Sequence, residues 1–128
     1  MSHFTKIKTK LYNIDTIKMS LSDLQVSWED KNVEVRGYKN QTHSAELIIK
    51  QSSNHDIGFK WNGVEYEMVT DLMFWDQKYS VDKFLNLLNQ RYAYNSIIEL
   101  SEKDGFNFTQ TETAQDGSIR LVLRRYKG

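Results

Sequence analysis

The sequence lacks cysteine and proline, and it has only six glycines among its 128 residues. Without cysteine the chain can form neither disulfides nor thiolate metal sites, and it suits a reducing compartment. Without proline, and with its glycines scattered, it shows no flexible linker or domain boundary. We therefore predict one domain spanning residues 1–128, which is long enough to bury a single core.

An excess of charge of either sign is also missing, because 17 Lys and Arg residues balance 17 Asp and Glu residues. No global field would attract nucleic acid or an anionic membrane. The longest apolar runs, Leu47–Ile49 and Leu72–Trp75, are far shorter than the roughly 20 residues of a membrane-spanning helix. Residues 1–7 contain no apolar signal segment. We expect no membrane insertion and action in the compartment of synthesis.

The strongest local signal present is Asn62-Gly63, which lies between two segments of alternating apolar and polar residues. A type I′ turn needs positive φ at both central residues, which Gly adopts freely and Asn better than most. The sequence therefore predicts a β-hairpin with a two-residue turn. The predicted opposite pairs are Trp61 and Val64, Lys60 and Glu65, Phe59 and Tyr66, and Ile57 and Met68.

Two segments have the spacing of amphipathic helices. The first has Asn13 or Asp15 as its N-cap, and its apolar residues are Ile14, Ile17, Leu21 and Leu24. The second begins after an N-cap at Ser80, runs to about Lys103 and ends at Gly105. The residues predicted to be buried in the second helix are Phe84, Leu88, Tyr92 and Leu100.

Further strands are predicted from alternation and turn residues. Residues 4–11 form an opening strand, and Val26–Trp28 forms a hairpin with residues 33–36. Residues 44–51 contain the uninterrupted run Leu47–Ile49, which is typical of a strand covered on both faces. We place that strand near the centre of the sheet.

The last hairpin has two possible registers around Gln115–Gly117. A two-residue loop places Phe108 on the face of the later leucines but sets Glu112 opposite Leu121. A three-residue loop pairs Glu112 with Arg120 and moves Phe108 to the other face. We favour the three-residue loop.

The resulting order is β-α-β-β-β-β-β-α-β-β, which lacks the regular alternation of a parallel sheet. It predicts an α+β domain with a mainly antiparallel β-sheet. Two amphipathic helices pack on one face of that sheet.

Five blocks along the chain carry a resemblance to a known family. They are residues 1–7, Val35–Tyr38, Asp56–Phe59, Gln90–Tyr94 and Asp116–Val122. In these blocks the chain resembles the conserved plastid and cyanobacterial proteins called hypothetical chloroplast open reading frame thirty-five, a domain of unknown function. The resemblance implies residence in a plastid stroma or a cyanobacterial cytoplasm. It supplies no catalytic residues.

Catalytic and metal-binding patterns are not evident in the sequence. The histidines His3, His43 and His55 have no partner at a recognised zinc spacing. Glu65 and Glu67 would share a strand face as paired carboxylates, but pairing with Lys60 explains them more simply. We therefore predict a protein that is not an enzyme, with no catalytic, cofactor or metal site.

Recognition is the remaining class of function. The segment 72–79 is unusually aromatic for a connection, so it either folds back over the sheet edge or is covered by a partner protein or a second copy of the chain. Our preferred hypothesis is an accessory module that binds an unknown protein partner. The candidate interaction surface comprises Arg36, Tyr38, Phe74, Trp75, Arg91, Tyr94, Arg120 and Arg124.

The alternative hypothesis is a nucleic-acid-binding module. It would use the arginines of this surface for phosphates and its tyrosines for bases. In the second helix Arg91 and Asn95 share a face. We favour a structural role there, in which Tyr92 packs on the sheet and Arg91 pairs with a strand carboxylate.

Overall fold

The computed structural model describes residues 4–30, 34–36, 42–103, 106–113 and 119–125. Along these residues the elements follow the predicted order β-α-β-β-β-β-β-α-β-β. They are β1 (Thr5–Leu11), α1 (Ile14–Asp23), β2 (Glu34–Arg36), β3 (Thr42–Ser44), β4 (Leu47–Ile49), β5 (Ile57–Trp61), β6 (Tyr66–Thr70), a 3-10 helix (Leu72–Phe74), α2 (Val81–Lys103), β7 (Phe106–Thr113) and β8 (Ile119–Arg125).

The main sheet has four antiparallel strands in the order β1-β6-β5-β4. One row of apolar residues crosses all four strands, formed by Ile7, Met68, Phe59 and Leu47. Both helices bury their apolar stripes on this face, through Ile17 and Leu21 of α1 and Phe84 and Leu88 of α2. The predicted α+β class and the position of the helices are confirmed.

The opposite face of the sheet carries a small second layer, the antiparallel pair β2-β3. Val35 of β2 is completely buried. It lies against Gly58 of β5 so closely that a Cβ on Gly58 would be 2.3 Å from its Cγ2. Only a residue without a side chain allows this contact.

The predicted hairpin between Val26–Trp28 and residues 33–36 is wrong. Residues 26–28 form no strand, and β2 pairs with β3 instead. The chain leaves α1 through Gln25, whose φ of 61° is left-handed, and the N–H of Val26 still bonds to the Leu21 carbonyl at 2.9 Å. This C-terminal turn keeps the segment beside the helix.

The predicted strand 44–51 is shorter in the structure. Its first residue, Ser44, ends β3, which pairs with β2 in the second layer, and only Leu47–Ile49 form β4 in the main sheet. β4 lies at an edge of the four-stranded sheet, so its predicted central position is wrong. Its three residues are nevertheless buried. Leu47 and Ile49 belong to the helix-side core, whereas Ile48 alternates to the other face.

The hairpin β5-β6 forms as predicted but with a four-residue connection, so the predicted pairs are wrong by two positions. Trp61 is opposite Tyr66, and Phe59 is opposite Met68. Asn62 causes the change because its Oδ1 accepts the N–H groups of Val64 and Glu65, each at 2.8 Å. A shift of two residues keeps every side chain on its predicted face.

The favoured register of the last hairpin is confirmed, since Glu112 is opposite Arg120. A register shift between Phe108 and Gln110 then pairs Phe108 with Leu123. Such a bulge adds one residue to a strand. Glu112 can therefore pair with Arg120 while Phe108 still lies opposite one of the later leucines, Leu123. Residues 114–118 of the connection lie outside the described residues.

Both predicted helix N-caps form. Asn13 Oδ1 accepts the Thr16 N–H at 3.1 Å, and Ser80 Oγ accepts the Lys83 N–H at 3.2 Å. The predicted burial of Leu100 is wrong, because this side chain is 61% exposed. Leu100 lies twelve positions after the buried Leu88, about 3.3 turns later and therefore on a different side of the helix. Gly105 lies outside the described residues.

The contact at Gly58 predicts a specific loss of stability. We expect Gly58→Ala to lower the free energy of unfolding by about 1–3 kcal/mol, because the added methyl group overlaps Val35. Equilibrium urea unfolding measures this change.

A double-mutant cycle with Val35→Ala is the control. With Cγ2 removed, the nearest Val35 atom to the new methyl is its Cβ, at 3.6 Å. The cost of Gly58→Ala should then fall by more than half. An equal cost in both backgrounds would show that the close approach is not its cause.

Candidate functional site

The aromatic segment 72–79 folds back onto its own chain. Phe74 is half-buried and stacks on His55, with the ring centroids 3.7 Å apart and the planes at 11°. Trp75 is half-buried with its ring edge-on to Phe84, at a centroid distance of 5.3 Å. Its Nε1 donates to the Tyr79 carbonyl at 2.8 Å. Intramolecular contacts thus cover a large part of the aromatic area.

Gln51 holds this segment by both ends of its amide. The side chain is buried, and its Nε2 donates to the carbonyls of His55 and Phe74 at 2.5 and 3.4 Å. Its Oε1 accepts the Asp76 N–H at 2.8 Å. Ser53 Oγ adds a 3.0 Å bond to the Phe74 carbonyl. The segment is therefore fixed by polar groups from the chain just before β5.

Leu72 and Met73 point outward from the 3-10 helix that begins the segment. They are 44% and 71% exposed. Asp71 caps the helix, since its Oδ1 accepts the Met73 N–H at 3.0 Å. We call these two residues the Leu72–Met73 tip. The sequence analysis chose the neighbouring Phe74 and Trp75 as candidates and did not choose the tip. The run of four apolar residues was a signal for it, because one side of a turn cannot bury all four.

Arg36 is bound within the fold. The Arg36 guanidinium donates through Nε and one terminal nitrogen to both carboxylate oxygens of Asp56, at 2.8–3.0 Å. The backbone N–H of Arg36 also donates to Asp56 Oδ2, at 2.9 Å. The Asp56 N–H returns a 2.9 Å bond to the Arg36 carbonyl. The hydrogen bonds to Asp56 raise the pKa of the Arg36 guanidinium. This fork attaches β2 to the start of β5.

Arg91 also pairs inside the molecule. Its Nε donates to Asp23 Oδ2 at 2.8 Å, and Asn95 Nδ2 donates to the same oxygen at 2.9 Å and to Ser20 Oγ at 3.0 Å. Arg91 and Asn95 therefore share a face, as predicted. The carboxylate belongs to α1 rather than to a strand, which corrects that prediction. The Tyr94 ring lies 4.3 Å from the Arg91 Cζ.

Tyr92 supports the junction between β1 and α1. The ring is half-buried against the main core, and its hydroxyl accepts the N–H groups of Tyr12 and Asn13 at 3.2 and 3.1 Å. The tyrosine therefore packs on the helix-covered side of the sheet and also bonds the residue that caps α1.

The predicted surface is not one continuous patch. Arg36 lies in the layer behind the sheet, whereas Arg91 lies on α2 at the front. Arg120 and Arg124 occupy β8 positions opposite Glu112 and Asn107. Tyr38 lies outside the described residues. The structure thus separates Arg36 from Arg91 and leaves Phe74 and Trp75 together in the 72–79 segment.

The pair Glu65 and Glu67 is not arranged as predicted. Glu65 lies in the β5-β6 connection rather than on the strand, and Glu67 is the residue opposite Lys60. Among the described residues, no three His, Asp or Glu side chains are grouped as metal ligands. In that same part of the chain, no helix is both long and apolar enough to cross a membrane.

These features define an α+β domain with a helix-covered antiparallel sheet and a braced, partly apolar turn. Residues 20–122 match the family described as "Protein of unknown function (DUF1257)". The chain is similar to "Uncharacterized protein ycf35" of Guillardia theta, with 50% identity over 127 residues and 99% of each chain covered. The corresponding proteins of Pyropia yezoensis and Cyanophora paradoxa are 40% and 37% identical, with 98% and 99% of each chain covered.

The chain therefore belongs to the conserved, uncharacterised plastid open reading frame family ycf35. This confirms the resemblance found in the sequence and supports a plastid origin for the family. No solved structure is significantly similar to the chain.

The Asp23 cluster predicts a pH-dependent contribution to stability. Burial raises the pKa of Asp23, but hydrogen bonds from Arg91 and Asn95 and the Arg91 charge outweigh it, so the pKa is lowered. A lowered folded-state pKa stabilises the fold above the unfolded pKa of about 3.9, and this stabilisation is lost as pH falls through the folded value.

We expect Asp23→Asn to reduce stability by about 0.5–1 kcal/mol at pH 7. The difference from the wild type should shrink below about pH 4, where the wild-type carboxylate becomes protonated. Urea unfolding at a series of pH values measures it. Adding Arg91→Met to Asp23→Asn should cost less than Arg91→Met alone. A pH-independent difference would contradict this account.

Proposed function

We propose that the protein is a small non-enzymatic interaction module that presents the Leu72–Met73 tip to another protein. Its site of action would be a plastid stroma or a cyanobacterial cytoplasm. The main supporting observation is that Leu72 and Met73 are adjacent, large, exposed apolar side chains on one turn. Gln51 and Ser53 fix the backbone of that turn by hydrogen bonds.

Preorganisation supports a binding role for the tip. A mobile loop loses conformational entropy on association, whereas a fixed turn has already lost it during folding. Asp71 orders the start of the turn and Gln51 orders its end. The tip would therefore bind with little additional ordering cost.

The neighbouring aromatic residues support the same surface. Phe74 and Trp75 are each half-buried, so part of each ring stays accessible beside the tip. Apolar and aromatic side chains of this kind form the centres of protein interfaces. Met73 has a flexible thioether side chain that adapts to an irregular groove. A partner with an apolar groove would fit this surface.

The nucleic-acid alternative has less support. Phosphate binding by Arg36 or Arg91 would have to displace Asp56 or Asp23, each of which already accepts at least one hydrogen bond of 2.8 Å. The two arginines also lie on opposite sides of the main sheet. Binding carried by these residues would weaken steeply with added salt.

Affinity capture from native plastid extract tests the proposal. The bait is the full chain, compared with Leu72→Ser/Met73→Ser and with the control Val64→Ser. Val64 is 70% exposed at the β5-β6 connection, so its change removes an exposed apolar side chain away from the tip. We expect the tip variant to lose a specific protein partner and the control to keep it.

The affinity for that partner, measured by calorimetry, should fall about tenfold or more in the tip variant. Unfolding free energies of both variants should stay within about 0.5 kcal/mol of wild type. Capture of the same proteins by all three baits would overturn the proposal. Salt-sensitive recovery of single-stranded RNA with no protein partner would instead favour the nucleic-acid hypothesis.

A further inference from the structure

A cavity of about 420 Å³ opens beside the edge strand β4. Its walls come from the end of α1, the chain after it, β4, the end of the 72–79 segment and the start of α2. This volume is within the usual range for small-molecule sites. Neither residue of the Leu72–Met73 tip lines it, so the cavity is separate from the proposed interaction surface.

Within residues 24–30, the chain after α1 meets β4 through the isolated bridge between Glu29 and Ile48. Glu29 and Ile48 exchange two backbone hydrogen bonds of 2.8 and 2.9 Å. Residues 26–28, just before Glu29, form no ladder with the strand. Gln25, in the cavity wall, holds a left-handed φ of 61°. This conformation belongs to the turn that ends α1, and it places Val26 and Ser27 in the cavity lining.

The floor of the cavity is apolar and its rim is cationic. Val26, Ile49, Phe84 and Leu87 contribute apolar surface, and Lys50 and Lys78 contribute positive charge. The carboxylate in the lining, Asp23, is neutralised by Arg91 at 2.8 Å. The lining therefore combines apolar side chains with two lysines, Lys78 and Lys50, and Lys50 shares an exposed ion pair with Glu29.

Both lysines are accessible to a ligand. Lys50 is half-exposed and pairs with Glu29 at 3.3 Å, and exposed ion pairs of this kind contribute little to stability. The Lys78 ammonium lies 5.4 Å from the centre of the Tyr79 ring. Neither contact buries the ammonium group, so an anion could replace or join it.

We propose that this cavity binds a small organic anion with a flat or branched apolar body. The body would occupy the floor between Ile49, Phe84 and Leu87. Its carboxylate or similar group would lie at the rim, between Lys50 and Lys78. Gln25 is also in the lining and would supply an amide hydrogen bond to the ligand, whereas the Gln77 amide already donates to Gln51 Oε1 at 3.0 Å.

Three probes of one shape separate the charge requirement from simple apolar binding. They are 2-naphthoate, 2-naphthamide and 2-naphthylmethylammonium, titrated into the full chain and followed by amide NMR shifts. We expect 2-naphthoate to bind most tightly and the ammonium probe least, with the largest shifts at the cavity lining. Equal affinities, tighter binding of the ammonium probe, or no binding at millimolar concentration would overturn the proposal.

Variants that remove a positive or a negative charge should change the affinity for 2-naphthoate in opposite directions. Lys50→Gln and Lys78→Gln should each weaken 2-naphthoate binding about 2- to 5-fold and leave 2-naphthamide unchanged. Glu29→Gln should strengthen it, because Lys50 loses its competing partner. Lys6→Gln, an exposed lysine on β1 away from the cavity, is the matched control and should change nothing.

A steric variant tests the position of the apolar body. Leu87→Trp should reduce binding of every probe, because the larger side chain fills the floor. Circular dichroism would establish that this variant is folded, and the lysine variants test the proposal independently if it is not. Shifts concentrated away from the cavity, or a lysine control that weakens binding equally, would count against this site.

Discussion

The close approach of Val35 to Gly58 is the contact on which the layered structure depends. It lets β2 lie directly on the back of the sheet, where the Arg36–Asp56 fork holds it through charge and backbone together. A buried carboxylate is stable only with such complete pairing. The helices cover one side and β2 lies against the other, so both faces of β5 are occupied.

Hydrogen bonds from Gln51 also fix the turn that exposes the Leu72–Met73 tip. Gln51 follows β4 by two positions, yet it bonds to the segment more than twenty residues later. A single buried amide thus joins two connections at one end of the sheet. The same segment continues into the cavity wall through Gln77 and Lys78. The apolar tip and Lys78 of the cavity rim are consequently parts of one continuous stretch of chain.

Local patterns are sufficient to predict the two helices, their caps and the faces of most strands, and the number of strands agrees because the absent strand at 26–28 is balanced by the separate strands β3 and β4. They failed where long-range contacts decide the result. The partner of β2 was misassigned because the role of Gly58 depends on Val35, which lies far away in sequence. The predicted turn after β5 is wrong because the Asn62 side chain accepts the backbone N–H groups of Val64 and Glu65, and Asn62 does not adopt positive φ. Gln51 belongs to no recognisable sequence pattern, because folding alone brings its amide to the Phe74 carbonyl and the Asp76 N–H.

The bridge between Glu29 and Ile48 has a consequence for self-association. Ile48 is the middle residue of the three-residue strand β4, and its outward amide and carbonyl are both occupied by Glu29. An unoccupied edge would be a template for adding a strand from another molecule. Because Glu29 already occupies this edge, a strand from a second copy of the chain could join β4 only by displacing Glu29.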